Sequence, residues 1–306
     1  MQSRAQAWHA RVDRRLAELL PPAADRQDVA AAMRDGVLAP GKRLRPLLML
    51  ATGRALGCDS PALLDAACAV EMVHAASLVL DDMPCMDDAC LRRGRPTVHV
   101  RHGEDAAVLA VVALLAQACA TVAALPGLDG SLRARVVCVL CDAVGPQGLV
   151  RGQFRDLREG ASARTMHAIA EANDQKTGVL FACALEIAAL VAGAPQAVAS
   201  LRAAASEVGQ AFQLKDDLED GTSSAGPADK DRHQDTGKST MVALLGRGAV
   251  EQRLQEHLAR AEALVREVLP DSDALVDLLR RTFATSSADT TSRTGPAAAV
   301  AVLSAT

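Results

Sequence analysis

The chain has 306 residues and a formal net charge of −4, and half of its residues are hydrophobic. This small charge, without any basic run, excludes a protein that binds nucleic acid through its overall charge. Only 2% of the residues are aromatic, and alanine and leucine dominate, which favours a helix-rich fold. The sequence has no signal-peptide core, and its most apolar stretch, 106–124, is alanine-rich and predicts a buried core helix. We therefore expect a cytoplasmic protein without a membrane span.

The first part of the chain combines helical patterns with a compact basic motif. Residues 5–20 place apolar and charged side chains at helical spacing, and a second short helix is predicted at 29–33. The sequence GKRLRP at 41–46 then sets three cations beside a glycine at the start of an apolar helix. Backbone donors at a helix start, together with Lys42 and Arg45, suit a diphosphate. A basic helix start without a ligand is the alternative.

A long apolar helix, 61–80, leads to the acidic sequence DDMPCMDD at 81–88. Carboxylates at the end of a buried helix are costly unless they are paired or bind a metal. Asp81 and Asp88 would share one face of a straight helix, and Pro84 is expected to bend it. Hard oxygen ligands of this kind suit Mg²⁺, which bridges to substrate phosphates. A solvated, negatively charged helix end is the alternative.

A second acidic cluster follows another apolar helix, in the sequence FQLKDDLED at 212–220. Asp216 and Asp220 are four positions apart and share a helix face, and Asp217 lies beside them. Two such clusters, far apart in sequence, can face each other across a cavity and hold several Mg²⁺ ions. Because no strand pattern is present, the predicted fold is all-α, a single-domain helical bundle around a central cavity. This domain is expected to span 1–283, with a disordered tail at 284–306.

These motifs resemble those of the trans-isoprenyl diphosphate synthase (polyprenyl synthetase) family, over roughly residues 6–282. The acidic motifs of the family, DDxxxxD and DDxxD, are matched by two sets of aspartates: Asp81, Asp82 and Asp87, and Asp216, Asp217 and Asp220. The GKxxRP motif, the LRRGxPT motif at 91–97 and the KT pair at 176–177 occur in the order of the family. The resemblance implies the isoprenoid synthase fold, a homodimer, and Mg²⁺ as cofactor, with about three ions per active site once diphosphate is bound.

The resemblance also implies a role for each matched residue. The six aspartates are the implied metal ligands. The implied binding residues for isopentenyl diphosphate are Lys42, Arg45, His74 and Arg93. The implied residues for the allylic diphosphate are Arg92, Lys176, Thr177, Gln213, Lys230 and Lys238, of which all but Lys238 are expected to be catalytic. The sequence GLVRGQFRDL at 148–157 resembles GLxxGQxxDL of the family, and its Gln153 and Asp156 are predicted to support the site.

The implied reaction condenses isopentenyl diphosphate head-to-tail with dimethylallyl, geranyl or farnesyl diphosphate. The growing tail is expected to run from Asp81 along the preceding helix, at about 1.5 Å per residue. Ala76 and Ser77 are small and leave this path open, and Val73, about 12 Å down, is the predicted floor. This depth favours geranylgeranyl diphosphate, a C20 product. The run 72–88 also closely resembles bacterial geranylgeranyl diphosphate synthases of the carotenoid-pathway type.

Three alternatives remain open at this point: a farnesyl diphosphate synthase with a C15 product, a terpene cyclase, and a non-catalytic partner subunit of another prenyl synthase. A cyclase cavity usually carries aromatic side chains, which this chain almost lacks. A partner subunit should have lost an acidic motif, and both motifs are intact. The polar loop 221–237, with Lys230 in it and Lys238 after it, is expected to close over the site and exclude water.

Overall fold

The computed structural model describes residues 2–25, 28–159, 168, 171, 174–220, 241–269 and 271–284. Lys230, Lys238 and residues 285–306 of the predicted tail lie outside these ranges. The helices are, in chain order, α1 (Gln2–Leu19), α2 (Val29–Leu38), α3 (Leu44–Ala55), α4 (Pro61–Asp81), α5 (Val98–His102), α6 (Glu104–Ala123), α7 (Gly130–Val144), α8 (Leu149–Glu159), α9 (Val179–Val191), α10 (Val198–Asp220), α11 (Met241–Leu245), α12 (Arg247–Val268) and α13 (Asp273–Phe283). A π-helical turn (Asp174–Gly178) precedes α9, and a 3-10 turn (Pro195–Ala197) precedes α10.

The described part of the chain is almost entirely helical, as predicted. Helices α11 and α12 are separated by Gly246, whose φ of 79° lies in the left-handed region. Several helices begin with the expected caps. Ser60 accepts a hydrogen bond from the backbone of Leu63, and Pro61 occupies the first turn of α4.

Helix α4 lies at the centre of the bundle because it is apolar on all sides. It packs against α3, α6 and α9, and nearly all of its residues between Ala62 and Ala76 are buried. Helix α9 is similarly apolar and packs between α4 and α10. The acidic end of α4 therefore emerges from the best-packed part of the protein.

Helix α6 differs from the prediction that 106–124 is a buried core helix. One side of it is buried against α4, but Val108, Leu109 and Val112 on the other side are 44%, 55% and 60% exposed. Both α4 and α6 are long and apolar enough to span a membrane, with 72% and 39% of their apolar windows buried. Burial accounts for the apolar character of α4, whereas α6 keeps an unpartnered apolar face within the described chain.

Two predictions of local structure are wrong. The sequence showed no strands, yet β1 (Leu91–Arg92) pairs with β2 (Arg95–Pro96) in a small antiparallel hairpin. Strands of two residues are too short to carry an alternating pattern. The hairpin turns at Arg93 and Gly94, whose φ angles of 52° and 71° are both positive, as a type I′ turn requires.

The second wrong prediction concerns the shared helix face of Asp81 and Asp88. Helix α4 ends at Asp81, and the chain continues in tight turns rather than as a bent helix. The backbone N–H of Asp87 donates to the carbonyl of Asp81, 2.9 Å away, which folds the segment back on the helix end. Asp87, not Asp88, is therefore brought next to Asp81, and Asp88 is exposed in the left-handed region with φ of 49°.

Candidate active site

The aspartates of the first acidic motif have different partners. Asp82 is buried, and the guanidinium of Arg92 donates to both of its carboxylate oxygens at 2.8 Å. Burial raises the pKa of Asp82, and the bonded Arg92 acts in the opposite direction. The β1–β2 hairpin, which begins nine residues after Asp82, carries Arg92 back to the end of α4. Asp82 therefore anchors the hairpin to the helix.

The charge of Asp81 is compensated only in part. Burial raises its pKa to about 6, Asp87 adds to this effect, and Lys176 opposes it. Lys176 donates to Asp156 of α8 at 2.8 Å and interacts electrostatically with both Asp81 and Asp87. Burial lowers the pKa of Lys176, but these carboxylates outweigh burial, so the pKa is raised and the ammonium stays charged. The prediction that Asp156 supports the site agrees with this ion pair.

The π-helical turn that carries Lys176 and Thr177 is packed between two glycines of neighbouring helices. A Cβ on Gly152 of α8 would lie 2.5 Å from the backbone nitrogen of Lys176, and a Cβ on Gly209 of α10 would lie 2.6 Å from the Cα of Gly178. No side chain fits at either contact, because backbone atoms occupy the space. Packing of the neighbouring helices thus sets the position of this irregular turn.

This turn links the two acidic motifs. The hydroxyl of Thr177 donates to the side-chain oxygen of Gln213 on α10, at 3.3 Å. Gln213 and Asp216 are three positions apart on α10 and share a face of that helix. Lys176 interacts electrostatically with Asp81, and its neighbour Thr177 contacts Gln213 on the helix of the second motif. The structure brings these sequence-predicted residues together.

The second acidic motif differs from the first in its partners. The carboxylate of Asp217 accepts a hydrogen bond from the backbone of Met241, at the start of α11, at 3.0 Å. Asp216 is half-buried, and its charge acts on Arg45. Asp220 is the last residue of α10, and its side chain lies outside the described atoms. Asp217 thus connects α10 to the first residue of α11.

The predicted isopentenyl diphosphate residues form a separate cationic group. Arg45 is buried, stacks 4.5 Å from the ring centre of Phe181, and its Nε has no hydrogen-bond partner among the described residues. Burial lowers the pKa of Arg45 to about 10, so it remains a cation. Burial and the charge of Arg45, followed by Arg93, lower the pKa of His74 and keep it neutral. Lys42 is exposed at the edge of this group.

The donor set can be compared with what Mg²⁺ requires. Among the described residues, no three carboxylate, histidine or cysteine side chains lie close enough to form a ready-made metal site. Mg²⁺ is usually bound through one or two carboxylates, waters and substrate phosphates. Asp81 and Asp87 fit that pattern. Burial and the nearby charge of Asp87 raise the pKa of Asp81, and a divalent cation bound to both carboxylates would relieve their repulsion.

The predicted chain-length residues lie on two sides of α4. His74, Ser77 and Asp81 are partly exposed and share one helix face, spaced three and four positions apart. Val73 and Ala76 are only 2% and 1% exposed and pack in the core. Of the three predicted positions, Ser77 is the one that shares a face with the acidic end.

Sequence reasoning missed two features of the site. Phe181, which lies under the guanidinium of Arg45, belongs to an apolar run and carries no signal of this role. Arg43 was noted only as a third cation, yet it is buried and bonded to Glu71 of α4 at 3.0 Å. The sequence could not indicate this role, because it depends on the backbone conformation of Arg43. Its φ is 48°, which is uncommon for a residue other than glycine.

Comparison with known proteins places the chain in a family. A sequence model of the polyprenyl synthetase family matches residues 26–270, and the chain belongs to this family. It is 54% identical, over 255 residues, to a geranylgeranyl diphosphate synthase of Pantoea ananas, covering 82% of this chain and 83% of the relative. A geranylgeranyl diphosphate synthase of Pseudescherichia vulneris is 49% identical over 275 residues, 89% of each chain. The crystal structure of an FPP/GFPP synthase from Zymomonas mobilis superposes with a TM-score of 0.82 at 33% identity, covering 92% and 98% of the two chains.

The charge of Asp81 leads to a prediction about stability. The pKa of Asp81 is raised from 3.8 to about 6, so its ionised form destabilises the folded protein above about pH 6, and this cost is absent below about pH 4. Asp81→Asn keeps the side-chain shape and removes the charge. We therefore expect the variant to unfold at a higher temperature than the original protein near neutral pH, and to lose this advantage near pH 4. Thermal unfolding followed by circular dichroism, with a chelator present, measures both; an equal shift at the two pH values would contradict the assignment.

Proposed function

We propose that this protein is a Mg²⁺-dependent prenyl diphosphate synthase that adds isopentenyl diphosphate to allylic diphosphates and releases geranylgeranyl diphosphate. The observation that carries the proposal is the presence of two neighbouring sets of cationic and polar side chains beside the acidic motifs. Lys176 and Arg92 lie against the first motif, whereas Arg45 and His74 form the second group with Arg93. A condensation of two diphosphates needs two such sites, and a cyclase needs one.

The first group suits the allylic diphosphate. Ionisation breaks the bond between the allylic carbon and the diphosphate oxygen, and both electrons leave with the diphosphate. Lys176 is held as a cation by three carboxylates and is positioned to bind the leaving group, with Arg92 beside it. The oxygens of Thr177 and Gln213, which contact each other at 3.3 Å, supply dipoles toward the allylic cation. When bound, Mg²⁺ would neutralise diphosphate charge and improve the leaving group.

The proposed metal ligands divide into two ranks. Asp81, Asp87 and Asp216 are proposed as the principal ligands, and Asp82, Asp217 and Asp220 as secondary ones. Two of the secondary residues are held by other parts of the chain. Asp82 is held by Arg92, and Asp217 by the backbone of Met241. About three ions per site remain a prediction from the resemblance.

The second group suits isopentenyl diphosphate. Lys42 at its edge is exposed, Arg45 is a buried cation, and His74 is neutral and can donate one N–H to a phosphate oxygen. The double bond of isopentenyl diphosphate attacks the allylic cation, a new carbon–carbon bond forms, and a proton is then lost. The released diphosphate is the proposed acceptor of this proton. Lys230 and Lys238 are proposed to close over the site, and they belong to the segment outside the described residues.

The C20 product is supported by two observations. Both relatives named above are geranylgeranyl diphosphate synthases, at 54% and 49% identity. Ser77, one turn before Asp81, is small and partly exposed on the face that leads to the acidic end of α4. An aromatic residue there would block the tail. A farnesyl diphosphate synthase is the second candidate, because Val73 and Ala76 on the same helix are buried in the core.

We also propose that the protein is a homodimer in the cytoplasm. The outer face of α6 carries Val108, Leu109 and Val112 at 44–60% exposure, and a second copy of the same face would cover it. Stable interfaces bury about 800 Å² per partner, so this proposal requires residues that flank the three apolar side chains to be covered as well. All eight cysteines are free thiols, which is consistent with a reducing compartment.

The proposed activity is tested by incubating the protein with radiolabelled isopentenyl diphosphate, Mg²⁺ and either dimethylallyl, geranyl or farnesyl diphosphate. After dephosphorylation, chromatography gives the product length. We expect a C20 alcohol from each starter, and no product when a chelator removes the metal. A C15 alcohol would favour the farnesyl alternative. No elongation from any starter would refute the synthase and favour a partner subunit.

The tail path is tested by enlarging Ser77. Ser77→Phe places an aromatic ring one turn before Asp81, so we expect the main product from dimethylallyl diphosphate to shorten from C20 to C15. Ser77→Ala removes the same hydroxyl, which donates to the carbonyl of His74, without adding volume. This control should keep the C20 product. Product lengths are measured by the same chromatography, and a C20 product from Ser77→Phe would place the tail on another helix.

The dimer is tested by charging the outer face of α6. Val112→Glu should convert a dimer to a monomer in sedimentation-velocity ultracentrifugation, because a carboxylate at the centre of an apolar interface has no partner. Leu244→Glu, at a 48% exposed apolar residue of α11, is the matched control and should leave the mass unchanged. A monomeric original protein, or a dimer that survives Val112→Glu, would refute this interface.

A further inference from the structure

The loop that contains Lys42 is held by an unusual set of hydrogen bonds. Arg43 begins α3 in the left-handed region, with φ of 48° and ψ of 35°, and makes no side-chain cap to that helix. A residue with a side chain is strained in this conformation, and surrounding contacts have to maintain it. The position of this strain matters, because Arg43 lies between Lys42 and Arg45, two residues that are proposed to bind isopentenyl diphosphate.

The side chain of Arg43 supplies those contacts. It is 5% exposed, and its guanidinium donates to three acceptors in different parts of the fold. Nε donates to Asp13 of α1 at 2.8 Å, Nη1 to Glu71 of α4 at 3.0 Å, and Nη2 to the carbonyl of Ala39 at 2.9 Å. The planar guanidinium can serve three acceptors at once, which a lysine ammonium cannot do with the same geometry.

Further contacts hold the residues just before Lys42. His9 of α1 donates through Nε2 to the carbonyl of Gly41 at 2.8 Å, and its other ring nitrogen lies 3.2 Å from Asp13. Arg93 donates through Nη1 to the carbonyl of Pro40. A Cβ on Gly41 would lie 2.6 Å from that Arg93 nitrogen, so a larger residue at position 41 would displace the end of the Arg93 side chain. The backbone is thus fixed on both sides of Lys42.

We infer that Arg43 is a positioning residue for the isopentenyl diphosphate site, and that Asp13 of α1 and Glu71 of α4 hold it in place. Arg43 does not touch the reacting atoms. It orients Lys42 and the first turn of α3, which carries Arg45, while His9 and Arg93 hold the preceding carbonyls. The allylic group at Lys176 and Thr177 belongs to other elements. The inference rests on the proposed function, because it assigns these contacts to one of its two substrates.

The test compares the two substrates in steady-state kinetics. Arg43→Lys keeps the charge and loses the three-way geometry, and Asp13→Asn keeps the shape of the acceptor and loses its charge. For each variant we expect the KM for isopentenyl diphosphate to rise about tenfold, the lower end of what loss of an outer-shell partner costs. The KM for the allylic diphosphate should change by less than about twofold, within ordinary scatter for a site that lacks this contact.

The chain offers a matched control for these variants. Arg15 and Asp65 form a second ion pair between α1 and α4, with contacts of 2.6 Å and 3.1 Å, and neither residue touches the loop. Asp65→Asn should lower the thermal unfolding temperature and leave both KM values unchanged. Glu71→Gln is a less suitable variant, because removing one partner of a buried pair destabilises the whole fold.

The outcomes separate the inference from the proposed function. If the original protein elongates its substrates and the Arg43→Lys variant changes both KM values equally, or neither, the positioning role is refuted and the synthase stands. If Asp65→Asn raises the KM for isopentenyl diphosphate as much as Asp13→Asn does, the contacts act only through stability, and the inference again fails. If the original protein forms no product, the proposed function itself fails.

Discussion

Charge compensation at the end of α4 is the constraint on which the rest of the site depends. A largely apolar helix leads three aspartates out of the core, and burial raises the pKa of Asp81 and Asp82. Separate elements compensate them, since the hairpin brings Arg92 to Asp82 and the π-helical turn brings Lys176 to Asp81. The compensation at Asp81 is incomplete. Because its neighbours do not fully neutralise the charge of Asp81, the protein without a bound metal is less stable. The remaining negative charge is also what a divalent cation needs in order to bind.

The residues of the two proposed diphosphate sites are held in place by different kinds of contact. The allylic group depends on backbone packing, because Gly152 and Gly209 let α8 and α10 approach the turn that carries Lys176. The isopentenyl group depends on ion pairs, because Arg43 ties its loop to α1 and α4. Backbone packing leaves little freedom, whereas an ion-paired loop can be adjusted by single substitutions. We therefore expect single substitutions to affect the two proposed sites separately.

Helix α1 has a role that the family match does not include. The family model begins at residue 26, after α1 has ended at Leu19. Even so, His9 and Asp13 of α1 contact the loop that carries Lys42. The amphipathic pattern of α1 explains why it packs on the bundle, and its polar edge faces the proposed substrate site. Residues before the matched region therefore contact the loop of the proposed site.

The sequence by itself determined the helical class, most helix positions and both acidic motifs, because long apolar periods and local charge clusters are one-dimensional signals. It also identified Lys176, Thr177 and Gln213, which the tertiary structure joins. Three features were decided only by the fold: the end of α4 at Asp81, the pairing of Asp82 with Arg92, and the anchoring of Arg43. The end of α4 is set by tight turns that fold Asp87 back onto Asp81. The other two features depend on contacts between residues ten or more positions apart, and Arg43 also needs a backbone angle that is uncommon outside glycine. The exposed face of α6 was also decided only by the fold. The composition of this segment shows that the helix is apolar, but packing determines which of its sides remains exposed.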